Sequence, residues 1–134
     1  MKNSNSIILQ PGDILVRKKS LFGIVAHYGL YVGEGKVIDN HPDRGVSVQS
    51  YSQFLNGKNL ERVKRFKGSG EARSRIVENA ISMLGAKYDL ISFNCEHFVN
   101  RVSGFGNRSY QIGTGLALLT LTLLLLNLKK IGNG

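Results

Sequence analysis

The sequence is poor in cysteine, histidine and acidic residues. Its single cysteine, Cys95, excludes an intramolecular disulfide and a zinc cluster built on several thiolates. The three histidines do not follow a metal-ligand spacing such as His-x-x-x-His, so neither a metal nor a cofactor is expected, although a mononuclear site stays possible. A chain of 134 residues without a long linker predicts one compact domain.

Basic residues outnumber acidic ones by 18 to 9, which gives a formal net charge of +9. Such an excess favours anionic partners, among them phospholipid headgroups and nucleic acid. The basic clusters lie at residues 17–19, 62–67 and 129–130, and each is first interpreted as ordinary solvated surface. Because no nucleic-acid motif and no aromatic-basic platform accompany them, a nucleic-acid partner is not expected.

The 20 residues 109–128 carry no charge and are dominated by leucine. A helix of this length covers about 30 Å, the thickness of the hydrocarbon layer of a bilayer. We therefore predict a domain over residues 1–108 and a transmembrane tail anchor over residues 109–128. The N-terminus lacks the pattern of a signal peptide, so we expect a single-pass membrane protein with its domain facing the cytoplasm. A hydrophobic hairpin or an oligomer contact is the alternative.

The remaining pattern is typical of an α+β domain with an antiparallel sheet packed on helices. A turn at residues 11–13 precedes the first strand, and we predict strands over residues 14–17, 24–32, 36–39, 46–49 and 60–66. A helical turn is predicted over residues 51–55, and helices over residues 71–84 and from Cys95 onward. Asn94 is a favourable N-cap for the last of these, and Cys95, Phe98, Val99 and Val102 share its apolar face.

Cys95 and His27 are candidates for a nucleophile and its base. A thiol at a helix N-terminus faces backbone N–H groups and the positive end of the helix dipole, which favour the reactive thiolate. A histidine on a strand can remove the thiol proton. The alternatives are a lone cysteine that is a small apolar core residue and a histidine that is merely half-buried.

The expected hairpin register adds a third candidate. A three-residue turn over residues 33–35 aligns the strands so that His27 and Asp39 become diagonal neighbours on one face. A carboxylate there would orient the imidazole, and His41 is the alternative third member. A two-residue turn would invert the alternation. The opposed pairs are predicted to be Val32 with Lys36, Gly29 with Asp39, and His27 with His41.

Two motifs carry a resemblance to a known family. The segments His-Tyr-Gly-Leu-Tyr-Val-Gly-Glu-Gly at residues 27–35 and Asn-Cys-Glu-His-Phe-Val at residues 94–99 resemble the lecithin retinol acyltransferase-like family. The similarity extends over about residues 11–103. It implies a circularly permuted papain-like α+β fold with Cys95 as nucleophile, His27 as base and Asp39 at the third position. Animal lipid-modifying members usually carry a histidine there, so this aspartate departs from that subgroup.

The resemblance implies a membrane-anchored, thiol-dependent acyltransferase or phospholipase A. Such an enzyme takes an acyl chain from a glycerophospholipid onto Cys95, so its partners would be a phospholipid membrane and a lipid acyl donor. The backbone N–H of Cys95 would stabilise the oxyanion. Two other functions are compatible with the sequence: a papain-like cysteine peptidase or amidase, and a non-enzymatic, membrane-anchored interaction protein.

Overall fold

The computed structural model describes residues 7–19, 25–104 and 110–132. Over these residues the chain is an α+β structure of five strands and four helices. The strands are β1 Ile14–Lys19, β2 Val25–Gly33, β3 Lys36–His41, β4 Gly45–Ser50 and β5 Leu60–Lys64. The helices are α1 Tyr51–Leu55, α2 Gly70–Ser82, α3 Cys95–Val102 and α4 Tyr110–Gly132.

The five strands form one sheet in the order β4-β3-β2-β1-β5, and every neighbouring pair is antiparallel. The predicted antiparallel α+β class is therefore confirmed. Element ends differ from prediction by a few residues. The strand predicted to reach residue 66 ends at Lys64, and the Phe66 N–H donates instead to the Asp13 carboxylate. Residue 24, predicted to open a strand, lies outside the described residues.

Side chains from both faces of the sheet are buried. On one face α2 and α3 pack against β2, and α3 also packs against β3. The larger core cluster contains side chains of those helices together with Ile14, Val16, Tyr28, Leu30 and Ile38. A smaller core joins Phe54 of α1 to Leu15 and Val37, which alternate with the first set along β1 and β3. Polar side chains of the central strands are therefore enclosed, and each needs a partner.

The β2–β3 hairpin corrects the predicted turn. Its loop has two residues, Glu34 and Gly35, both with positive φ (50° and 67°), as two-residue hairpin loops of the primed types favour. Lys36 pairs with Gly33 and not with Val32, so that part of the prediction is wrong. A register irregularity between Tyr31 and Gly33 adds one residue to β2 and restores the alternation. The predicted pairing of Gly29 with Asp39 is thereby confirmed.

The C-terminal helix α4 carries the leucine-rich segment. Its leucines between positions 116 and 128 are each more than half exposed. Judged over residues 7–19, 25–104 and 110–132, no helix combines the length and the apolarity that crossing a membrane requires. The tail anchor over residues 109–128 stays a prediction without structural support.

Candidate active site

His27 and Asp39 form a buried hydrogen bond between two adjacent strands. His27 lies on β2, and Asp39 lies on β3 opposite Gly29, two residues further along β2. This diagonal placement brings His27 Nε2 to 2.6 Å from Asp39 Oδ2. Both side chains are only 1% exposed. The short contact fixes the imidazole plane and commits Nε2 to the carboxylate, so any proton exchange with another group must use Nδ1.

Phe54 of α1 holds the His27 ring from one side. The two rings are nearly parallel, with centroids 5.5 Å apart and an interplanar angle of 29°. This packing requires glycine at position 29, because a Cβ there would lie 2.6 Å from the Phe54 ring and 2.6 Å from a Val37 methyl group. The absence of a side chain at Gly29 therefore allows the Phe54 ring to pack against the sheet beside the His27 imidazole.

His41 is close to His27 but does not take the place of Asp39. Its ring meets the His27 ring edge-on at a centroid distance of 5.9 Å. Its Nδ1 accepts a hydrogen bond from the Asp43 N–H at 3.2 Å. Burial lowers the pKa of His41, and the charges of Arg44 and His27 add to that effect. Of the two alternatives weighed for the third position, Asp39 is the one hydrogen-bonded to the imidazole.

Cys95 lies at the start of α3, as the capping pattern predicts. Asn94 is the N-cap, and its side-chain oxygen accepts hydrogen bonds from the Glu96 and His97 N–H groups, both at 3.0 Å. His97 returns the contact through Nδ1, which accepts from the Asn94 N–H at 3.3 Å. His97 thus completes a capping box. The cap fixes the helix start and therefore the position of the thiol.

The Cys95 side chain is 8% exposed and belongs to the core cluster that contains Tyr28. The thiol is not part of a disulfide. Burial raises the pKa of Tyr28, and negative charge at Glu96 and Cys95 acts in the same direction. Burial likewise raises the pKa of Tyr88, to which Cys95 also contributes. Cys95 is therefore within electrostatic range of two tyrosines.

Arg17 is a buried cation, although the sequence predicts it within a solvated basic cluster. It is 6% exposed and lies opposite His27 in the β1–β2 ladder. Its Nε donates to the Phe54 carbonyl at 2.5 Å, and its guanidinium lies 5.5 Å from the Phe54 ring centre. Burial lowers the pKa of Arg17, while negative charge at Asp39 and Cys95 opposes that shift. Arg17 therefore lies within electrostatic range of both anionic candidates.

The alternation of side chains along β1 is the sequence feature that could have identified Arg17 as a buried residue. The strand places Leu15 and Arg17 on one face and Ile14 and Val16 on the other, and all four are buried. A strand that is apolar on both faces is covered on both, so a charge within it is enclosed. Lys18, its neighbour, is exposed as expected.

Asp13 has a structural position. Its side chain is fully buried and accepts hydrogen bonds from Arg65 at 2.8 Å, Arg73 at 3.0 Å and the Phe66 N–H at 3.2 Å. Burial alone would raise the pKa of the Asp13 carboxyl, but these hydrogen bonds and one from the Gln10 N–H outweigh it and hold the pKa below its usual value. The predicted turn residue thus links β1 to α2 and to the segment after β5.

The positions of the histidine, cysteine and acidic side chains in the described residues do not indicate a metal site. Across the described parts of the chain, no group of three or more histidine, cysteine, aspartate or glutamate side chains is placed to hold a metal ion. His27 and Asp39 do come together, and an imidazole hydrogen-bonded to a carboxylate can serve as an oriented base.

Comparison with known proteins identifies the family of the chain. A search of curated proteins finds no match. A family model described as "Lecithin retinol acyltransferase" matches residues 8–106, a range that includes His27, Asp39 and Cys95 and excludes α4. The match covers most of the chain and agrees with the resemblance found in the two sequence motifs. The chain belongs to the lecithin retinol acyltransferase family.

Proposed function

We propose that this protein is a thiol-dependent acyltransferase or phospholipase A that acts on glycerophospholipids. Cys95 is the nucleophile, His27 the general base and Asp39 the group that orients His27. The observation that carries the proposal is the buried 2.6 Å contact between His27 and Asp39 in a chain of this acyltransferase family. The base of a thiol enzyme needs a fixed orientation, and a carboxylate hydrogen-bonded to the imidazole supplies it.

The first half-reaction forms an acyl-enzyme. His27 Nδ1 takes the thiol proton, and the Cys95 thiolate attacks the carbonyl carbon of a lipid ester. The tetrahedral oxyanion needs a hydrogen-bond donor. Because backbone N–H groups at a helix start favour an anion, we assign the Cys95 N–H as that donor. The carbon–oxygen bond then breaks, and His27 protonates the departing alkoxide. The lysolipid product dissociates, and the acyl group remains on Cys95 as a thioester.

The second half-reaction transfers the acyl group. His27 removes a proton from water, from an amine or from a hydroxyl, and the activated acceptor attacks the thioester carbonyl. The Cys95 thiolate departs and takes the proton back from His27. With water the outcome is hydrolysis, and with an amine or hydroxyl it is acyl transfer. Asp39 stabilises the imidazolium in both halves.

The chain order and the exposed surface of α4 support the proposed function. The histidine strand precedes the cysteine helix in the chain, which is the order expected of a permuted papain-like domain. The exposed leucines of α4, at 53–59% exposure, are an apolar surface that we assign to lipid contact. Contact of α4 with the bilayer would raise the effective concentration of the ester at the active site.

The test compares lysolipid release from phosphatidylcholine vesicles by the wild type and by Cys95→Ser and His27→Gln. We expect both substitutions to abolish release above background, whereas Ser103→Ala, at the opposite end of α3 from Cys95, retains it. If all four proteins release lysolipid at the same rate, the thiol mechanism is wrong. If none does, but the wild type cleaves peptide amides, the peptidase alternative is favoured. Inactivity on both, with biological function retained by Cys95→Ser, would indicate an interaction protein.

A further inference from the structure

Two cations of β5 lie on the same face of the sheet as the cysteine helix. In the β1–β5 ladder Arg62 is opposite Val16 and Lys64 is opposite Ile14. Val16 and Ile14 belong to the core cluster that contains Cys95. Because side chains alternate along a strand, Arg62 and Lys64 share the face of that cluster.

Tyr28 connects these cations to Cys95. The Lys64 Nζ lies 5.1 Å from the centre of the Tyr28 ring, in a cation–π arrangement. Tyr28 packs in the same cluster as Cys95, and its hydroxyl is within electrostatic range of both Cys95 and Arg62. The two cations therefore border the surroundings of the thiol.

The charges of Arg62 and Lys64 are electrostatically unfavourable to each other. Lys64 is half-buried; burial lowers the pKa of its amine and the neighbouring charge of Arg62 lowers it further. The carboxylate of Glu96 acts in the opposite direction and is the acidic group that faces Lys64 from α3. Two like charges two residues apart on one strand repel each other, and a bound phosphate would relieve that repulsion.

We propose that Arg62 and Lys64 bind the phosphate of the phospholipid whose ester Cys95 attacks. In a glycerophospholipid the ester carbonyls and the phosphate are separated only by the glycerol backbone. A phosphate on β5 would thus place an ester near the start of α3. This inference rests on the proposed function and adds to it a site that selects phospholipids over uncharged esters.

A different explanation of these charges is protection of the sheet edge. β5 is the last strand of the sheet, and basic side chains on edge strands discourage pairing with other chains. General attraction of a basic protein to an anionic surface would also involve these residues. The experiment must therefore separate a bound phosphate from both effects.

Three substrates distinguish a bound phosphate from edge protection and from general surface attraction. A p-nitrophenyl acyl ester has no phosphate, a short-chain phosphatidylcholine below its micellar concentration has a phosphate but no surface, and vesicles of long-chain phosphatidylcholine have both. We expect Arg62→Gln/Lys64→Gln to lower kcat/KM on the monomeric phospholipid by about tenfold or more, since hydrogen bonds between charged groups are lost. Hydrolysis of the p-nitrophenyl ester should be unchanged. The matched control, Lys58→Gln/Lys67→Gln, removes the same charge from positions flanking β5 and should retain activity on all three.

The following results would overturn the phosphate site at Arg62 and Lys64. Equal activity of wild type and Arg62→Gln/Lys64→Gln on the monomeric phospholipid refutes the phosphate site, and an effect confined to vesicles and shared by the control assigns the charges to surface attraction. Equal loss on the p-nitrophenyl ester also refutes the site, because the charges would then act on the chemistry or on folding. A wild type that cleaves the p-nitrophenyl ester but neither lipid refutes the proposed substrate class itself.

Discussion

The imidazole of His27 and the carboxylate of Asp39 are joined by a 2.6 Å hydrogen bond inside the protein, where each is 1% exposed. Burying a polar group without a hydrogen-bond partner raises the free energy of the folded protein, so the bond between these two side chains allows both to be buried. The bond also leaves the imidazole one nitrogen, Nδ1, for exchange with a nucleophile. The proposed chemistry depends on this orientation.

Removal of the Asp39 carboxylate should therefore impair catalysis. For Asp39→Ala we expect kcat/KM for ester cleavage to fall by roughly 10²- to 10⁴-fold, because the imidazole loses its orientation and its imidazolium loses a counter-charge. The matched control is Asp43→Ala, which removes an 85% exposed carboxylate from the loop after β3. Equal rates for Asp39→Ala and the wild type would show that Asp39 has no part in the reaction.

Gly29→Ala should destabilise the fold by about 1–3 kcal/mol, the usual cost of overpacking a core. The added methyl group would lie 2.6 Å from the Phe54 ring and must displace it. Urea denaturation measures the change. Gly70→Ala is the control, since a Cβ at that helical position meets nothing within 4 Å and should be neutral or slightly stabilising. In the double variant Gly29→Ala/Phe54→Leu, the smaller side chain at position 54 should make the effect of the added methyl group on the free energy of unfolding smaller. An equally large effect of Gly29→Ala in both backgrounds would show that the Phe54 ring is not what the methyl group displaces.

Arg17→Gln should move the pH midpoint of Cys95 alkylation by iodoacetamide upward. A cation favours the thiolate, and Arg17 is the buried cation in electrostatic range of Cys95. Tyr28 and Tyr88 also face the thiol but stay neutral near pH 7, so their contribution should not change. Lys18→Gln removes a neighbouring exposed charge and should leave the midpoint in place. Identical midpoints for Arg17→Gln and the wild type would rule out this electrostatic effect.

Asp13 should make stability sensitive to acid. Its folded-state pKa is below the ordinary value of about 3.9, so its contribution is fully present above that pH and is lost as the pH falls through the lowered pKa. Asp13→Asn should reduce the free energy of unfolding at pH 7, and the difference from the wild type should shrink at pH 3. Asp43→Asn serves as the exposed control. A difference that stays constant from pH 7 to pH 3 would contradict the assignment.

Sequence periodicity was sufficient to place His27 and Asp39 together, but for a reason that was partly wrong. The expected three-residue turn is a two-residue turn preceded by an extra residue in β2. Alternation has a period of two, so the two deviations cancel at Gly29. Gly33, a strand glycine with a φ of 101°, is the sequence feature beside this bulge, but a glycine also fits the turn that was predicted there.

Other parts of the site depend on contacts between distant segments, which periodicity does not report. Phe54 was predicted only as part of a helical turn, yet it packs against His27 and accepts the Arg17 hydrogen bond. Asp13 meets Arg65 and Arg73 across more than 50 residues. The start of α3 was predictable because an N-cap is a local feature, in which Asn94 acts on the two residues after Cys95.

The most direct measurement is intact-protein and peptide mass spectrometry after exposure to a phospholipid, with rapid acid quenching to trap the intermediate. We expect one added acyl chain on the wild type, located at Cys95 and released by hydroxylamine as a thioester is. We expect no adduct on Cys95→Ser and a strongly reduced one on His27→Gln. A wild type that turns over phospholipid while its acyl group is found on another residue, or on none, would show that Cys95 is not the nucleophile.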